Sequence, residues 1–253
     1  MGRMPQRIAI LIVATLATAL LASCSQKETI RFRMTVEVQT PEGLRTGSSV
    51  MEISAWNNSF ALNGHVRGRD FEGEAVAVNL PRDRMLVALI VSERPDYVEF
   101  PDIVLGALDP FYNNDWVESV QRIANGETPD GPQIVAQTRT ARGIEMRPHS
   151  DLPKVSNYPR LVTFRNLNDP ASVLRMEASN LATEFGAGHR VVNISVEKTD
   201  APVTRILGSK LPWLRSYWNK LTLKPNPPKF SEDVLDSELR LLSAGAFSTQ
   251  PPG

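Results

Sequence analysis

One cysteine, three histidines and no net charge leave this 253-residue chain few routes to chemistry. With Cys24 alone there is no intrachain disulfide and no set of thiolates to hold a structural zinc. The histidines, His65, His149 and His189, show neither H-x-x-x-H nor H-E-x-x-H spacing, so no metal site is predicted. Equal numbers of basic and acidic residues, 28 each, argue against the electrostatic footprint of a nucleic-acid partner, and no RNA- or DNA-binding motif is present. P-loop, EF-hand, G-x-S-x-G and kinase signatures are missing as well, and nothing in the sequence implies a cofactor. The longest apolar run, Ile8 to Ala22, has 15 residues, with Thr15 and Thr18 its only polar members. That is short of the roughly 20 needed to cross a bilayer as a helix.

What is there begins at the N-terminus. Arg3 and Arg7 form a positive region, the apolar run follows, and small residues close it at Ala22 and Ser23. This order is that of a secretory signal peptide. The tetrad Leu21-Ala22-Ser23-Cys24 resembles the lipobox of bacterial lipoproteins at all four positions. The resemblance implies cleavage before Cys24 and acylation of its sulfur and new amine with chains such as palmitate. Acyl burial is worth roughly 0.8 kcal/mol per methylene, so two or three chains make a lasting anchor. It also implies a membrane-held envelope protein, and Ser25 after the cysteine favours the periplasmic face of the outer membrane. Two other readings of the same residues stay open: a secretory signal cut nearby that leaves a free thiol, and an uncleaved anchor. N-terminal myristoylation at Gly2 is rejected, because Gln6 stands where Ser or Thr is needed.

Without residues 1–23 the chain keeps 26 basic and 28 acidic residues and ordinary globular hydrophobicity. Residues 24–30 read as a polar tether, 31–222 as one globular domain, and 223–253 as a Pro-rich, partly disordered segment. Within the domain, Phe32, Met34, Val36 and Val38 alternate with polar residues, which predicts a half-buried strand. "TPEG" turns it into a second arm over roughly 48–56. "FEGEAVAVNL" and "RMLVALIVS" predict another strand pair, and the apolar run Met85 to Val91 predicts a central strand covered on both faces. Residues 93–114 read as irregular. Asp115 to Asn125 has a cap, an apolar stripe and a terminal Gly126, and predicts the best helix. Strands are predicted at 133–138, 143–147, 160–166 and in "HRVVNISVEK", with short helices near Pro170, over 179–185 and after Pro212. The expected class is α+β, mainly antiparallel sheet built from hairpins, with two to four short helices.

"MTVEVQTPEGLRTGSSVMEI", "PRLVTFRNLNDPASV" and "NISVEKTDAPVT" together resemble a group of uncharacterised bacterial secreted proteins with such a hairpin near the mature N-terminus. The resemblance implies a shared fold over most of 30–220. It brings no activity and no site residue.

The remaining candidates are patterns of charge and aromatic residues. Nine acidic residues stand between Glu93 and Asp130 against Arg94 and Arg122, while Arg205 to Lys229 holds six basic residues and no acidic one. Inside the basic run, Trp213, Arg215, Tyr217, Trp218 and Lys220 form a candidate interface for a membrane surface or an envelope protein partner. Glu72 and Glu74 share a strand face and suggest paired carboxylates, with a solvated face as the plainer reading. The three histidines are expected on the surface or in loops. The leading expectation is an acyl-anchored, non-enzymatic binding or structural module. The alternative is a periplasmic hydrolase, or an accessory to one, using acidic residues of the 93–130 segment such as Asp96, Asp102 and Asp109.

Overall fold

Alternation at Phe32–Val38 sets up the longest hairpin. In the computed structural model, which describes residues 26–58, 66–95, 98–140, 154–220, 222–223 and 242–251, β1 (Gln26–Thr40) pairs with β2 (Gly43–Asn58) from Gln26↔Asn57 to Thr40↔Gly43. Pro41 and Glu42 make the turn, and Gly43 takes a φ of 115° that a side chain would resist. β1 starts at Gln26, so the expected tether is corrected. Ile30 lies opposite Ile53, buried, and the register simply continues past it. Cys24, the signal peptide, the strand predicted at 143–147 and most of the Pro-rich stretch lie outside the described residues.

Along the chain follow β3 (Val66–Glu72), β4 (Val76–Leu80) and β5 (Arg84–Ser92), then α1 (Phe100–Leu108) and α2 (Trp116–Ala124). Next are β6 (Gln133–Ile134), β7 (Thr138–Thr140), β8 (Lys154–Ser156), β9 (Pro159–Phe164), β10 (Val173–Met176) and α3 (Ala182–Phe185). β11 (Arg190–Lys198), α4 (Leu207–Lys210) and α5 (Trp213–Tyr217) complete the series. The strands form a five-stranded sheet, β3-β2-β1-β11-β6, a four-stranded sheet, β10-β9-β5-β4, and the pair β7-β8, all antiparallel. The class is α+β, built from hairpins as expected.

Three details differ from the sequence reading. "FEGEAVAVNL" splits between the sheets: Phe71 and Glu72 stay with β2, and Val76–Leu80 joins β5. The split falls at Gly73, where a Cβ would lie 2.6 Å from Met51 Cγ. Residues 93–114 contain α1, because Pro101 suits a first helical turn and Glu99 and Asp102 close a capping box around it. Five α-helices occur among the described residues, with α1 and α4 having no expected counterpart.

β5 has both faces covered and separates two cores. Leu86, Ala88 and Ile90 face the inner side of the large sheet together with Phe32, Met34, Met51 and residues of α1 and α2. Met85, Val87 and Leu89 face a second core closed by Leu207, Leu211, Trp213, Leu214 and the C-terminal Leu242–Phe247. This corrects the domain bound drawn at 222, since Leu223 and Leu242–Phe247 belong to the second core. Leu223 and Phe247 are fully buried, Ala75 N–H donates to Phe247 O at 2.8 Å, and Ser248 bridges Glu74. The exposed face of the large sheet is zipped by polar pairs, Arg31–Glu52 at 2.9 Å and Arg33–Glu197 at 2.8 Å.

Candidate functional site

The acidic segment is largely spent on holding the helices to β3 and to each other. Asp102 accepts from Arg69 at 2.8 Å and from the Tyr112 hydroxyl at 2.5 Å. Glu99 takes the other branch of the Arg69 guanidinium. Asp109 is fully buried and accepts from Arg122 at 2.6 Å. Burial alone would raise its pKa; hydrogen bonds from Arg122, Ser119 and the Phe111 N–H outweigh that and hold the carboxyl below its ordinary range. Asp115 caps α2 through Glu118 N–H at 3.0 Å and pairs with Arg67. Burial opposes its ionisation, and these donors again win, lowering its pKa. Trp116 lies between Arg67 and Arg69, whose guanidinium carbons sit 5.6 and 5.0 Å from its ring. Asp102 and Asp109 therefore serve different arginines on different elements, and Asp96 lies outside the described residues.

The aromatic and basic candidates divide. Trp213 is corrected from interface to core: it is buried, its Nε1–H donates to Leu167 O at 2.9 Å, and its ring meets Phe164 and Phe247 at 5.5 Å. The outer face of β5 and β9 needs a large apolar cover, and α5 supplies it. Tyr217 and Trp218 are half-buried against the same core. Arg215 and Lys220 reach solvent, with Lys220 Nζ 3.8 Å from the Tyr217 ring centroid. Among the described residues of the basic run, Arg205 pairs with Glu72 of β3 and not with the acidic segment.

Glu72 and Glu74 are not a carboxylate pair in a cleft. Glu74 is buried and accepts from the N–H groups of Ile206 and Leu207 at 2.7 and 2.9 Å, fixing the start of α4. Ser195 and Lys198 have nucleophile-and-base spacing, yet i and i+3 on a strand project to opposite faces. Lys198 Nζ instead donates to Ile123 O and Ala124 O at the end of α2. Among the described residues no cluster of three His, Cys, Asp or Glu side chains could hold a metal ion.

Sequence reasoning missed the feature the fold assembles at one pole. Three connections meet there: the β1–β2 turn, the β4–β5 turn and the loop from α3 into β11. They enclose a cavity of about 260 Å³ lined by Pro41, Glu42, Arg82, Arg84, Phe185 and His189, among others. Arg82 and Asp83 have φ of 63° and 54°, so the three-residue turn Pro81–Asp83 between Leu80 and Arg84 holds side chains in left-handed backbone, where Gly or Asn is usual. Arg84 ties two of the connections together, donating to Pro81 O, Glu184 O and Phe185 O at 3.1–3.4 Å and stacking over Phe185 at 5.0 Å.

His189 lies in a loop, as expected, but is buried there. Its Nδ1 lies 2.9 Å from Gly186 O; a carbonyl can only accept, so Nδ1 carries a proton there. Nε2 is buried without a hydrogen-bond partner among the described residues. Gly186 and Gly188, at φ of 92° and 84°, flank Ala187 and turn the loop, and Gly188 approaches Pro41. The one sequence signal for this was "GAGHR", whose glycines mark the turn without revealing what it faces. His65 and His149 lie outside the described residues.

Fold and pole together define an antiparallel α+β protein with a loop-lined cavity at one end of its larger sheet. No protein-family model, curated protein or solved structure matches the chain.

Proposed function

We propose that this chain is an acyl-anchored cell-envelope lipoprotein, held through lipid on Cys24 at the periplasmic face of the outer membrane, and that it acts as a non-enzymatic binding module. The observation that carries the reading is where β1 begins. Gln26 is already paired in the sheet, two residues beyond Cys24. Two residues span at most about 7 Å, so an acylated Cys24 holds the start of β1 at headgroup level. The near pole suits that position. Lys27 Nζ lies 5.7 Å from the Trp56 ring, Arg67 stacks on Trp116, and Val66 is exposed. Cations over amphipathic rings are at home at a membrane interface. From Gln26 to Thr40 the strand then rises about 45 Å, at roughly 3.3 Å per residue. The cavity at the β1–β2 turn therefore faces away from the membrane, where an envelope partner can reach it.

Metabolic labelling with an alkyne-tagged palmitate, followed by fractionation, tests the anchor. Wild type should be labelled and sediment with membranes, and Cys24→Ser should be unlabelled and released. Label that persists on Cys24→Ser, or an unlabelled wild type, overturns the reading.

A further inference from the structure

No further inference is drawn: the strongest candidate, the groove of about 270 Å³ beside β10, the end strand of the four-stranded sheet, is lined by Arg165, Glu177, Asn180 and Glu184, which carry charges of both signs and all reach solvent, and nothing in the structure shows what covers it.

Discussion

Replacing Phe247 by Ala tests whether the C-terminal segment belongs to the domain. The Phe247 ring is fully buried and meets Trp213 at 5.5 Å and Phe164 at 6.1 Å, in the core behind β5 and β9. Its backbone is tied on both sides, by Ala75 N–H to its carbonyl and by its own N–H to Ala244 O at 3.0 Å. The neighbours therefore cannot simply collapse into the space left behind. Truncating a buried Phe to Ala costs about 3–5 kcal/mol. Against a total stability of about 5–15 kcal/mol that is a large share. At about 2–4 °C per kcal/mol for a chain this long, the melting temperature should drop by about 6–20 °C. Urea and thermal unfolding followed by circular dichroism measure this, with an unchanged m-value expected. Phe111→Ala is the control, because Phe111 is 70% exposed and its loss should cost no more than about 0.5 kcal/mol. A Phe247→Ala loss below about 1 kcal/mol, or one matching the control, refutes the placement of this segment in the core.

Two further predictions address the sheets and helices. At Gly47 a Cβ would lie 2.4 Å from Ala77 O, where β2 passes β4, and neither backbone can yield; Gly47→Ala should cost about 1–3 kcal/mol in urea unfolding, and a neutral result contradicts the close approach. Arg122→Met strands the buried Asp109 charge and should cost about 3–5 kcal/mol. The same pair sets an acid limit. Because folding lowers the Asp109 pKa below its ordinary 3.8, its contribution is complete above that value and is lost as pH falls through the folded one. Wild-type stability should therefore decline below about pH 4, and Asp109→Asn should flatten that decline; an identical slope in the variant excludes the linkage.

Elements whose evidence is local were legible in the sequence. α2 carries its own cap at Asp115 and its own apolar stripe, and the structure has the Asp115 side chain accepting from Glu118 N–H. β5 announces burial on both faces through seven consecutive apolar residues, Met85 to Val91. α1 is hidden by prolines, Pro95 and Pro110 on its flanks and Pro101 in its first turn, because Pro101 reads as a breaker until the capping box beside it shows it to be a starter. Trp213 and Lys220 looked alike as interface candidates, since helical spacing cannot say which face of α5 a sheet will cover.

The amino-acid order by itself determined the long hairpin, β5, α2, the α+β class and the chemistry available, because alternation, caps and the scarcity of cysteine and histidine are properties of short stretches. Only the tertiary structure decided that Phe247 returns to close the second core and that Glu74 holds α4. It likewise decided that His189, 147 residues from Glu42 in the chain, lines a cavity with it. Those contacts join residues whose separation carries no periodic signal, and they arise only when two sheets bury their apolar faces against a common strand.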